Sequence, residues 1–133
     1  MLNEKNYAKI VLDLNKTEEE RIQAAFHLEN ALDENSLKSL IKGLSNDPSP
    51  IVRHEFAFSL GETSHPNLAG PALMKAVEKD KSIFVRHEAI LALATLGKPE
   101  FKEFIKKFLD DPEPEMAESA KIALQRIEMT GSI

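Results

Sequence analysis

Apolar positions recur at three- and four-residue steps along the chain, which predicts helix throughout. Residues 4–14 carry Tyr7, Ile10, Val11 and Leu14 at that spacing and open the chain as an amphipathic helix. Thr17 followed by Glu20 has the form of a capping box. It predicts a helix running to about Leu32, with Ile22, Ala25, Phe26, Leu28 and Leu32 as its apolar stripe. A partner helix covers 35–45 through Leu37, Leu40, Ile41 and Leu44, and SNDPSP at 45–50 is a turn. Ser49 caps the next helix, with Pro50 at its first position, and that helix ends near Gly61. The chain restarts at His65 and Pro66, with Leu68, Leu73, Met74 and Val77 as the next stripe, and turns again at KDKS, 79–82. Ser82 caps a helix that closes at Gly97, with Pro99 beyond as a stop signal. Phe101, Phe104, Ile105, Phe108 and Leu109 mark the following helix. After a turn at 110–114, a last helix over 115–129 presents Met116, Ala120, Ile122, Ala123, Leu124 and Ile127, and the tail TGSI is expected to fray. The absence of Trp and the dominance of Leu, Ala, Ile, Glu and Lys favour helix over strand.

The pattern repeats. Aligning Leu28, Leu60, Leu93 and Leu124 superposes four helices at successive gaps of 32, 33 and 31 residues. Helical hairpins of that period cannot bury an apolar face alone and stack into a solenoid with capping ends. The expected fold is therefore all-α, a HEAT-like α-solenoid of about four helical-hairpin repeats. It forms a single domain over 1–133, of a length that suits one continuous core.

Within that register a charged motif occurs twice. Residues 49–61 read SPIVRHEFAFSLG and residues 82–97 read SIFVRHEAILALATLG, so Arg53-His54-Glu55 and Arg86-His87-Glu88 occupy one position of the two central repeats. The outer repeats carry Arg21-Ile22-Gln23 and Ala117-Glu118-Ser119 there. Each histidine lies five residues after its serine cap, at equal depth in equivalent helices. Neighbouring helices pack roughly 8–10 Å apart, and imidazoles from both can converge on one ion at bonds of about 2.0–2.1 Å. With no cysteine in the chain, His and carboxylate are the strong ligands available. Two His and one carboxylate suit non-haem Fe(II) with open positions, with zinc as an alternative. Adjacent residues stand about 100° apart on a helix, so one Glu is expected as a ligand and the other as an orienter or substrate contact. A single Arg-His-Glu segment would read as solvated or salt-bridged surface. Two in register favour the metal reading, since burying four titratable groups for structure alone is costly.

Net charge narrows the partners. At −5, with a pI near 5.4, the chain lacks the clustered Lys and Arg that nucleic acid and anionic membranes require, and suits a cationic partner. The N-terminal stretch lacks the apolar core of a signal peptide and no run reaches membrane-spanning length, so the expected location is cytoplasmic.

The paired segments, each followed by a small-apolar run and a Leu-Gly ending, resemble the deoxyhypusine hydroxylase family. So do ERIQAAFHLEN at 20–30 and DPEPEMAESAKIALQRIE at 111–128. Members of that family are HEAT-repeat di-iron monooxygenases of two similar halves with two His-Glu motifs each, and the likeness covers one half. The resemblance implies His54, His87 and Glu88 as iron ligands, and Glu55 as a second carboxylate near the iron, either ligand or catalytic substrate contact. The second half is missing from the sequence. A two-fold homodimer would restore four His and four Glu and hold two Fe(II) ions between protomers. The implied co-substrate is O2, and the implied substrate is a cationic lysine-derived side chain on a protein, matched by the carboxylates.

Arg53 and Arg86 can orient the dyads or pair with acids between repeats. His65 reads as an exposed turn residue, His27 as a boundary residue, and Phe101, Phe104 and Phe108 as core. The acids Glu18, Glu19 and Glu20 suit a first helical turn. No phosphate-binding loop or nucleophile elbow is present. The competing reading is a non-catalytic adaptor whose solenoid surface binds a protein, as a scaffold or a bilin-lyase-like subunit.

Overall fold

A computed structural model describes residues 2–130 as eight helices with no strand among them: α1 (Glu4–Ile10), α2 (Glu18–His27), α3 (Glu34–Asn46), α4 (Pro50–Gly61), α5 (Pro66–Lys79), α6 (Ile83–Leu96), α7 (Pro99–Lys106) and α8 (Pro114–Thr130). The all-α solenoid is as expected. Helices α2, α4, α6 and α8 stand side by side in one layer, and α3, α5 and α7 pack behind them. Leu28, Leu60 and Leu93 are fully buried at equivalent positions, together with Phe56, Leu73, Ile90, Ile105, Met116 and Ile127 in one continuous core. No described helix is long and apolar enough to cross a membrane.

Local chemistry sets the helix starts. Thr17 and Glu20 form the expected capping box, and the Ser49 hydroxyl accepts from the Val52 N–H with Pro50 in the first turn. Gly97 takes the left-handed conformation, φ 70°, that closes α6. Several expectations need correction. Helix α1 stops at Ile10, because a turn centred on Asp13, whose carboxylate accepts from the Asn15 N–H, carries Leu14 outward. Helix α2 stops at His27. The Glu4 carboxylate captures the backbone N–H groups of Leu32 and Asp33, swinging the chain into α3 and leaving Leu32 83% exposed. The Ser82 hydroxyl makes no cap bond, and Asp80 instead accepts from the Ser82 N–H. Pro99 begins α7 rather than merely ending α6. His65 is half-buried, with Nε2 3.0 Å from the Ala31 carbonyl oxygen, and His27 stacks on Tyr7 with ring centroids 4.2 Å apart. Phe101, Phe104 and Phe108 are core, while Leu109 and Ile122 reach solvent. The expected fraying of 130–133 falls on residues that, beyond the Thr130 backbone, lie outside those described.

A ladder of Arg–Asp pairs ties one repeat to the next. Arg21 grips Asp47 through Nε at 2.8 Å and Nη2 at 3.2 Å. Arg53 grips Asp80 in the same way, at 3.0 and 3.2 Å. Arg86 reaches Asp111 only at 3.9 Å. The aspartates also accept N–H groups that shape the turns before α4, α6 and α8.

Candidate metal centre

The two dyads lie on adjacent helices of one layer because the repeat period places them there. His54 and Glu55 come from α4, and His87 and Glu88 from α6. Across the gap, His54 Nε2 stands 3.3 Å from Glu88 Oε1, while its Nδ1 is 3.6 Å from Glu55 Oε1. His54 thus bridges the carboxylate of its own dyad and that of the next. The Glu88 side chain is the least exposed of the three, at 16%. The shorter of the two imidazole–carboxylate contacts runs between helices, although neighbours on one helix also approach each other here.

His87 turns elsewhere. Its Nδ1 is hydrogen-bonded to Ser119 Oγ on α8, and Ser119 donates to the Glu115 carbonyl oxygen at 2.6 Å. No group of three His, Cys, Asp or Glu side chains is disposed to hold an ion among the described residues. One chain closes a pair rather than a ligand set.

The electrostatics of this patch are those of titratable groups held partly out of water. Burial pushes the Glu88 carboxyl above its ordinary value. Glu55 and Glu62 add to that rise, and the charges of His54 and Arg126 oppose it. Burial lowers His87, helped by His54 and Arg126, which favours the neutral imidazole that a metal needs. Glu29 on the Ser59 hydroxyl (3.0 Å) is also raised, first by burial.

Arg53 and Arg86 direct their hydrogen bonds to the inter-repeat turns, Arg53 to Asp80 and the Asp47 carbonyl, and Arg86 to the Val77 carbonyl. Their place is in the ladder. Sequence reasoning missed Ser119 and Arg126. The signal for Ser119 was present, since it holds the dyad-glutamate register in the fourth repeat, one helix over from His87. A groove of about 520 Å³ opens beside His87, walled by Ile83, Phe84, Pro114 and Ile122 and edged by Glu115 and Glu118.

The donors suit iron in kind. Imidazole and carboxylate are hard-to-intermediate ligands, and 3.3 Å is close to the roughly 3 Å that separates neighbouring donors bonded at about 2.1 Å to one ion.

The repeating hairpins, the stacked core and the inter-repeat ladder define a class, and the HEAT-repeat family matches residues 37–125, so the chain belongs to it. Within that class the similarity is to deoxyhypusine hydroxylases. The Emericella nidulans enzyme is 36% identical over 128 residues, covering 90% of this chain and 38% of that protein. The Danio rerio enzyme is 35% identical over 131 residues, covering 96% and 43%. The structure of human deoxyhypusine hydroxylase in complex with glycerol superposes with a TM-score of 0.84 at 31% identity, over 96% of this chain and 44% of that one. The chain spans about two fifths of the length of these relatives.

Proposed function

We propose that the chain supplies half of an iron centre in an O2-activating hydroxylase similar to deoxyhypusine hydroxylase, completed by a second copy in a homodimer that holds two Fe(II) ions. The observation that carries this is the His54–Glu88 pair, set 3.3 Å apart across two repeats on the exposed face of the helix layer. His54, His87 and Glu88 hold the metal, which when bound supplies the activation of O2. Glu55, more exposed and outside the closest pair, contacts the substrate. A cationic lysine-derived side chain enters along the groove beside His87, its methylenes against Ile83 and Phe84 and its charge toward Glu115 and Glu118.

A second copy would supply further donors, since the described residues of one chain close only a pair. Ile51 and Phe84 lie three residues before the two dyad histidines and are 64% and 73% exposed, an apolar surface a partner would cover. The test is anaerobic Fe(II) loading, with iron per chain measured by mass spectrometry and assembly by sedimentation. One iron per chain in a dimer is expected, with little iron in His54→Ala or His87→Ala. A monomer that retains no iron would instead favour the adaptor reading.

A further inference from the structure

We infer that Ser119 is a positioning residue that fixes the His87 imidazole as the Nδ1–H tautomer and so presents Nε2 as its ligating nitrogen. The inference rests on the reading of His87 as a ligand. Ser119 is 1% exposed on α8, and its hydroxyl has two contacts. One is the Glu115 carbonyl oxygen at 2.6 Å, four residues back. A carbonyl oxygen only accepts, so the single hydroxyl proton points there. Toward His87 the serine can offer only a lone pair, and the bond between them requires the proton on Nδ1. A neutral imidazole protonated on Nδ1 has its free lone pair on Nε2.

Comparison of the two rungs sharpens this. Ser119 holds in the fourth repeat the register that Glu88 holds in the third. His54 meets the carboxylate at that register through Nε2, whereas His87 meets the hydroxyl through Nδ1. Each histidine therefore leans on the next helix, but in opposite senses. His54 turns its ligating edge inward onto Glu88, and His87 is anchored from behind with that edge free. A carboxylate at 119 would add a negative charge to a patch that already holds Glu55, Glu62 and Glu88. Serine ends the row and still provides the anchor. Polar partners that hold the second nitrogen of a metal-binding histidine commonly change metal affinity by about 10–100-fold.

The test uses the full chain and needs no activity. Long-range 1H–15N spectra of the metal-free protein report which nitrogen of His87 carries the proton, with His87→Gln assigning the signal. Expected is the Nδ1–H form in the parent, a mixed or Nε2–H form in Ser119→Ala, and return of Nδ1–H in Ser119→Thr. Fe(II) affinity should fall at least about tenfold in Ser119→Ala and recover in Ser119→Thr. An Nε2–H imidazole in the parent overturns the inference, as does a Ser119→Ala protein that keeps both tautomer and affinity. A parent with the Nδ1–H form that binds no Fe(II) overturns the metal reading beneath it, and with it the ligand role given to Nε2.

Discussion

Gly61→Ala tests whether the packing of α4 on α6 sets the geometry of the candidate centre. The two helices touch where Gly61 lies against Ala92, and a methyl on Gly61 would stand 2.7 Å from Ala92 Cβ and 2.9 Å from its Cα. Non-bonded carbons rest at about 3.5–4.0 Å, so the helices must part by about 1 Å. Ala92 cannot yield, because it is buried and has no rotatable side chain. Overpacking of this kind costs about 1–3 kcal/mol. Alanine's better helix propensity offsets up to about 1 kcal/mol in a helix interior, and less at the last residue of α4. The expected net loss is about 1–2 kcal/mol, read from urea unfolding followed by circular dichroism. Glu88 lies four residues, one turn, before Ala92. A separation of that size takes the His54–Glu88 pair out of its 3.3 Å contact, so Fe(II) affinity should fall as well. Gly70→Ala is the control. Its methyl meets the Phe101 ring, away from the dyads, so it should cost stability and leave Fe(II) affinity alone. If Gly61→Ala matches the parent in both stability and iron binding, the close approach of α4 and α6 does not govern the site.

Three further outcomes follow from the same geometry. Arg21 and Asp47 are 6% and 1% exposed, so Arg21→Ala should cost about 3–5 kcal/mol by stranding a buried carboxylate. Arg86→Ala, whose contact with Asp111 is longer at 3.9 Å and more open, should cost less than Arg21→Ala; equal losses in chemical unfolding would contradict that gradient. Burial raises Glu29 above its ordinary 4.5 in the folded state, so its contribution to stability is full below about 4.5 and is lost as pH rises through the folded value. Glu29→Gln should therefore gain on the parent in thermal melts as pH climbs from 4 toward 7.5, and a pH-independent difference would show that the carboxyl is not strained by burial. Under the proposed function, Glu88→Ala should abolish tight Fe(II) binding, whereas Glu55→Ala should keep iron and lose turnover of an amine-bearing protein substrate. Equal loss of iron in both would remove the division of roles between the two carboxylates.

Much of the architecture was legible in the sequence because it depends on period. A leucine recurring every 31–33 residues, fully buried in the first three repeats, specifies both the hairpin and its stacking, and the same arithmetic puts the two dyads on neighbouring helices of one layer. Helix ends were harder to read, since they depend on contacts remote in sequence. Nothing near Leu32 announces that Glu4, twenty-eight residues earlier, will take its N–H and end the α2 stripe. His65 was misjudged for a similar reason: its partner is the Ala31 carbonyl, thirty-four residues back.

The centre itself shows where register stops being informative. Period places the two dyads and Ser119 on neighbouring helices, and the structure brings position 54 to position 88 and position 87 to position 119. It does not say which ring nitrogen makes the contact, nor which groups hold the protons. A carboxylate can only accept. The Ser119 hydroxyl also acts as acceptor toward His87, because its proton is held by the Glu115 carbonyl, a backbone group no side-chain pattern records. The two dyads are thus equivalent in sequence and inequivalent in structure. One histidine is paired with its neighbour's carboxylate and the other is held from behind with an edge free. A two-fold partner that brings its own free imidazole edge would meet this inequivalence with a matching one, so two half-sites can complete each other without either chain closing a ligand set alone.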